Sequence, residues 1–542
     1  MDRRTLLAML LCMGIFLGWQ KFYIEPRMPK AGPVAEAPAT TAPGATTAVT
    51  QTGAAVGTPP TAMISGSATP GAPAAATILP ESKLVQLASG TALVGNGSKI
   101  FTGWDLKSYK LGIQPEAAAV DVKSITQQDG QGELAFDSPE YAYITNVRGK
   151  LETTPTGGLL WTYEDANLKL TREVAPVGNK PFVDLKINAE FKGKKPNYAF
   201  VSLASQSFEK DPEVRDRQLL YWTNESVERV SLKDAPTLKE VSTDVKWIGA
   251  SSRYFLMALI NNGPIVARGL IQPTVVQGGR VSLAFPVAGN QLSLPLKAYF
   301  GPKELDTLRS VDPTLDHTVD FGWFTVLAYP LLRIMKWFYG VVQNWGIAII
   351  LLTIVVRMAV FPLAYKSAKS MKVMSKLQPQ LTKLREKYKN DKETLNREMM
   401  GLMRTQGYNP VAGCLPIVIQ MPVFFALYRV LYSSIELYHA PFGMWIHDLS
   451  DHDPLYVTPV LMAVTMFLQQ RLTPNTAADP TQQKMLQFMP LMFGAFMLTL
   501  PSGLTLYMLV SAIVGILQQV YLNKKFQMKH DAIVPAIGTS KS

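Results

Sequence analysis

The chain carries three kinds of hydrophobic pattern, and each predicts a different kind of element. Residues 344 to 366, NWGIAIILLTIVVRMAVFPLAYK, form an apolar run long enough to span a bilayer. Four further apolar runs follow: Gly413 to Tyr432, Leu455 to Leu468, Met485 to Leu500 and Leu504 to Leu522. Between about 81 and 312 the pattern shifts to short alternating segments such as KLVQLAS, LKLTREV, FVDLKINAEF and RVSLAFPV, separated by Gly, Pro, Asn and Asp turns. Alternation at close spacing without long helical patterns predicts a β-sandwich over 81–312. Residues 31 to 80 show neither period and hold one charge, Glu36, so 25–80 reads as a flexible tether that cannot build a core.

Charge decides which side of a membrane each polar segment faces. Met1-Asp-Arg-Arg precedes a short apolar run that begins at Leu6 and ends near Ile24. The A-x-A candidate, Ala35 to Ala37, lies well past it, which favours an uncleaved anchor over 1–24 with a cytoplasmic N-terminus. That anchor places the sandwich outside the cytoplasm, in the periplasm of a two-membrane cell. Residues 366–412 carry eleven Lys/Arg against four acids, whereas 434–454 carries Glu436, Asp448, Asp451 and Asp453 with no Lys or Arg. The first segment is expected inside and the second outside. The net charge of +12 therefore needs no nucleic acid to explain it. Phe321 to Tyr339 is rich in aromatics but interrupted by Pro330, Arg333 and Lys336. Counting it as a span would put the basic loop outside, so 313–340 reads as an interfacial amphipathic helix. The expected fold class is a polytopic α-helical membrane protein with six transmembrane helices and a large extracytoplasmic β-sandwich domain. The spans are 1–24, 341–365, 413–433, 455–472, 485–500 and 504–522, with a cytoplasmic loop at 473–484 and a basic tail at 523–542.

Apolar residues recur at helical spacing through Met371, Met374, Leu377, Leu381, Leu384 and Tyr388, and again at Leu395, Met399 and Leu402, which predicts a two-helix hairpin. Two readings of it stand: a solvated loop that only fixes topology, and a landing surface for an RNA-rich or acidic partner such as a ribosome.

The chemistry-bearing oddity is Arg357, inside the first long span. A guanidinium there costs a few kcal/mol even on lenient insertion scales, so it should face protein or water. Thr353, one turn earlier, extends a narrow polar stripe. Snorkelling toward Lys366 is the plainer alternative, but that residue is nine positions on, about 13 Å along a helix. Leu455 to Leu468 is short for a span, and Pro416, Pro422, Pro459 and Pro490 interrupt the later runs. Short, proline-broken helices around a buried arginine point to a water-entering groove in a thinned bilayer. Cys12 and Cys414 lie far apart in apolar segments, giving no disulfide framework or metal site. The five histidines, His317, His439, His447, His452 and His530, all lie outside 81–312, which argues against sugar acid/base chemistry in the sandwich. A solute channel or transporter is the other rival.

The segments NWGIAIILLTIVVRMAVFPL, GCLPIVIQMPVFFALY, PFGMWIHDLS, DPTQQKMLQFMP and TLPSGLTLY together resemble the YidC family of bacterial insertases, within the Oxa superfamily. The resemblance covers 321 to 525 in order, and the layout of residues 1–320 is similar to the Gram-negative form. It implies a membrane-protein insertase and folding chaperone of the inner membrane, acting alone or beside the Sec translocon and its accessory subunits. Its partners would be nascent membrane proteins, membrane lipids, and a ribosome at the hairpin and basic tail. No cofactor, metal or covalent chemistry is implied, so it would not be an enzyme. The resemblance assigns Arg357 to a hydrophilic groove, matches Trp345 and Thr353 in the same span, and places Gln420, Met421, Phe424, Phe496 and Tyr507 on the groove or client-contacting side. Two positions depart from the pattern: Met508, where some relatives have a second tyrosine, and Arg429, late in the third span, which is expected to snorkel outward.

Overall fold

The computed structural model describes residues 81–531 apart from 207–215, 224–225, 233–238, 243, 275–277, 390, 406–409 and 473–479. The expected anchor and tether, most of the 473–484 loop and the end of the basic tail lie outside the described residues. The chain divides into two compact units. Among the described residues, one holds 81–110 and Ala119–Gly301, and the other takes Leu111–Ala118 and the residues from Pro302 onward.

Among the described residues, the first unit is built from two nine-stranded sheets whose strands pair mostly antiparallel. One runs from the hairpin Ser82–Gln86 and Gly90–Gly95 to Lys239–Ser242, with Tyr198–Gln206 and Gly278–Pro286 paired near its centre in the register Val201 to Leu283. The other runs from Ser226–Ser231 to Lys150–Thr153, with Phe182–Phe191 between Leu168–Pro176 and Gln291–Pro302. Alternation explains why these segments are strands. In Phe182–Phe191, Val183, Leu185, Ile187, Ala189 and Phe191 are buried while Asp184, Lys186 and Glu190 face out. The one-turn helix α1 (Val122–Thr126), capped by Asp121 through the Ser124 amide at 2.7 Å, packs against strands of both sheets. An arginine also lies in this core. The Arg172 guanidinium carbon sits 3.6 Å from the centre of the Trp161 ring, and its nitrogens donate to the carbonyls of Gly97 at 2.6 Å and Ser98 at 3.1 Å. Burial without an acidic partner pushes its pKa down to about 9. The last strand ends at Pro302, ten residues before the expected boundary at 312. Residues 305–311 have a helical pattern instead, burying Leu305, Leu308 and Val311.

The second unit contains α2 (Leu305–Val311), α3 (Thr325–Val342), α4 (Trp345–Lys387), α5 (Lys392–Thr405), α6 (Pro410–Ser433), α7 (Val457–Leu472), α8 (Pro480–Met497) and α9 (Ser502–Asp531). The expected helix over 313–340 is divided: two 3-10 segments, Pro313–Thr318 and Gly322–Phe324, precede α3. Lys336 on α3 is held by three carboxylates, Glu436 at 2.8 Å, Asp306 at 3.3 Å and Glu304 at 3.6 Å.

The expected break at 365–366 is absent. α4 continues for 43 residues through Pro362 and Pro379, so the first arm of the basic hairpin is the same helix as the apolar span. The side chains turn from apolar to charged there, but Ala, Lys, Met, Leu and Gln all sustain a helix. After the turn, Asp391 caps α5 by accepting from the Thr394 amide at 3.1 Å. Leu377 and Leu381 then bury against Val373, Met399, Leu402 and Met403.

α9 packs on α7 and α4, α4 on α6 and α3, and α7 on α8. On α4 the buried positions Ala348, Ile349, Leu352, Thr353 and Val356 follow helical spacing, yet the opposite positions Ile347, Ile354, Val355 and Met358 are equally apolar and exposed. Apolar side chains on a face that no protein covers fit a lipid surround. Among the described residues, Trp345–Val373 and Ser502–Lys525 are long and apolar enough to cross a membrane. α7, with 16 residues, reaches about 24 Å against a hydrocarbon core of about 30 Å.

Candidate functional site

The site is built where α4, α6 and α9 meet, and the loop over 434–454 sets their positions. Asn344 caps α4 by accepting from the Ile347 amide at 3.0 Å, and its own amide donates to the Phe442 carbonyl at 2.9 Å. Gly346 lets the Phe442 ring lie directly on the first turn, since a Cβ there would fall 2.0 Å from the ring. α9 starts on the same loop: its first amides, Ser502 and Gly503, donate to the carbonyls of Asp451 at 2.6 Å and Leu449 at 3.0 Å. Asp453 caps α7 through the amide and hydroxyl of Thr458, both at 2.7 Å, and Thr458 meets Thr505 of α9 at 2.9 Å. Burial works against the Asp453 carboxylate, but the donors of Thr458 and Leu455 outweigh it and hold its pKa below the usual carboxylate range.

From this common end α4 and α9 run side by side in the same direction. Ile349 lies against Gly503, Arg357 meets Ser511, Phe361 faces Tyr521 at 6.3 Å, and the Lys525 ammonium stands 5.3 Å from the Tyr365 ring. Arg357 is half-buried, and its Nε donates to Ser511 Oγ at 2.8 Å. The Gln518 amide donates to the Arg357 carbonyl at 3.2 Å. Tyr507, one turn before Ser511 on the same face of α9, is buried and accepts from the Gln420 amide of α6 at 3.1 Å. A polar cluster thus crosses three helices. Among the described residues no carboxylate pairs with Arg357.

Of the residues expected at the site, Arg357, Gln420 and Tyr507 fall in this cluster. Thr353 is fully buried one turn away, and its hydroxyl donates to its own helix at the Ile349 carbonyl, 2.7 Å. Met421 and Phe496 are exposed, and Phe424 belongs to a chain of rings, Phe424 to Phe493 at 6.5 Å and Phe493 to Phe496 at 6.4 Å, that joins α6 to α8. Trp345 stacks on Tyr339 at 3.9 Å and lies twelve residues before Arg357, about 18 Å along α4. Arg429 is half-buried on α6. Ser511 and Gln518 were not among the expected residues. Their signal was present as polar positions four and eleven residues after Tyr507, on one helical stripe. No group of His, Cys, Asp or Glu that could hold a metal ion occurs among the described residues.

Two family descriptions match the chain: a 60Kd inner membrane protein over residues 337–530 and a YidC periplasmic domain over 188–334. Together they define an inner-membrane protein with a helical region and a periplasmic domain that is mostly β-sheet. A membrane protein insertase YidC from Geobacter metallireducens is 34% identical over 556 residues, covering 97% of this chain and 98% of that one. One from Geotalea daltonii is 46% identical over 290 residues, 53% of this chain and 54% of that one. A crystal structure of an active YidC insertase matches with 17% identity and a TM-score of 0.36, over 80% of this chain and 91% of that one. The chain belongs to the YidC family, a family of membrane insertases and not of enzymes.

Proposed function

We propose that this protein inserts nascent membrane proteins into the inner membrane through a hydrophilic groove centred on Arg357, and that it also acts as a folding chaperone. The observation that carries the reading is a half-buried arginine with a neutral partner, Ser511, in a helix whose other face is exposed and apolar. An arginine so placed keeps its charge available to an incoming acidic or polar tail. At an effective dielectric near 20, a charge pair at about 4 Å gains roughly 4 kcal/mol before desolvation, enough to hold a tail and not to trap it. The following apolar segment then slides along Met421, Phe424 and Phe496 into lipid, driven by about 25 cal/mol for each Å² of apolar surface buried. Short helices such as α7 thin the bilayer locally and shorten the path.

In this reading the protein has six spans with both termini in the cytoplasm, and 313–340 lies at the interface of the inner membrane. The basic hairpin of α4 and α5 receives the ribosome, and larger clients are shared with the Sec translocon and its accessory subunits. The test is insertion of a small client into liposomes containing only the purified protein, scored by protease protection, with wild type beside Arg357→Ala. Insertion that requires the protein and falls with Ala supports the groove. Solute flux that depends on Arg357, with no insertion, points to a transporter instead.

A further inference from the structure

We infer that Gln518 is a positioning residue for Arg357, holding the guanidinium away from the cytoplasmic surface; the inference rests on the arginine-groove reading above. α9 touches Arg357 at two places. Ser511 takes the Nε of the side chain, and Gln518, seven residues further on, takes the backbone carbonyl. Seven residues are two helical turns, so both contacts come from one face of α9. Because α4 and α9 run the same way, the side chain is drawn toward the start of both helices and away from Lys366. Side chains on a helix already lean toward its N-terminus, but a long arginine can reverse that lean to bring its charge to water. Gln518 opposes the reversal by fixing the backbone from which the side chain starts.

The local chemistry gives the amide a reason to be there. Pro362 lies inside α4 and has no N–H, so the Met358 carbonyl loses its helical donor, next to the carbonyl that Gln518 binds. Within a membrane such carbonyls need donors from neighbouring helices. Gln518 does not fill that gap; its amide is a second donor to the neighbouring Arg357 carbonyl and ties α9 to the turn that carries the charge. Gly515, one turn earlier, has no Cβ where the Gln469 amide of α7 packs, so α7 and α9 also approach closely at this level.

The test is Gln518→Met, a near-isostere that keeps the helix and removes the amide, compared with wild type in proteoliposomes. Each is assayed with one client whose translocated tail is acidic and with the same client carrying a neutral tail, and each again in an Arg357→Ala background. Gln518→Leu serves as a second apolar variant, and thermal midpoints in detergent report folding. The expected result is a fall of about fivefold in insertion of the acidic-tailed client, and less than about twofold once Arg357 is Ala. An equal fall in both backgrounds, or for both tails, means that Gln518 serves general packing and overturns the inference. No fall in the wild-type background overturns it as well. If Arg357→Ala alone inserts as well as wild type, the groove reading itself fails, and this is visible without any change at Gln518.

Discussion

The Nε of Arg357 donates to the hydroxyl of Ser511 across α4 and α9 at 2.8 Å, a bond between residues 154 apart in the sequence. It partners the charge without neutralising it. Arg357→Ala is therefore expected to lower insertion of acidic-tailed clients about tenfold, equivalent to about 1.4 kcal/mol, while Arg357→Lys keeps most of the activity. Parallel liposome assays with the two variants check this, and equal rates for Ala and wild type would count against the role of the charge.

Tyr507 and Gln420 form the second link of the cluster. Tyr507→Phe removes the acceptor and leaves the Gln420 amide without that partner, at a cost of about 1 kcal/mol. The thermal midpoint should fall in Tyr507→Phe and in Gln420→Leu, and the double variant should lose less than the sum. Strict additivity would show that the two side chains do not interact.

The first turn of α4 depends on a missing side chain. A Cβ at Gly346 would meet the Phe442 ring at 2.0 Å, so Gly346→Ala must displace the loop that also receives Asn344. A loss of about 1–3 kcal/mol is expected, partly restored by Phe442→Ala. Denaturation of the single and double variants measures it, and absence of rescue would place the strain elsewhere.

Asp453 predicts a pH dependence. Its folded pKa lies below the ordinary value of about 3.9, so its contribution is complete above that value and is lost as pH falls through the folded one. The thermal midpoint of wild type should decline more steeply below about pH 4 than that of Asp453→Asn, which should start lower at neutral pH. Matching slopes would assign the acid sensitivity to other carboxylates.

Arg357 was legible because a charge inside an apolar run is conspicuous, whereas Gln420 and Tyr507 were selected only because the surrounding segments resemble a known family. Trp345 was selected on the same resemblance, but it stacks on Tyr339 about 18 Å from the cluster, which spacing along one helix could have indicated. The end of the apolar run near Lys366 was also legible, but as a change of surroundings. The helix itself continues to Lys387, because composition marks where a segment leaves one solvent and not where the backbone turns.

By itself the sequence determined where apolar surface had to be covered: alternation over the β unit, and long runs from residue 344 onward, with an arginine too costly to leave in lipid. Period and burial cost are properties of neighbouring residues, so they can be read along the chain. Only the tertiary structure decided what Arg357 would touch. Ser511 and Gln518 reach it because the loop over 434–454 sets α4 and α9 side by side from a common end, a register fixed by Asn344, Gly346, Leu449 and Asp451 through contacts that no local pattern encodes.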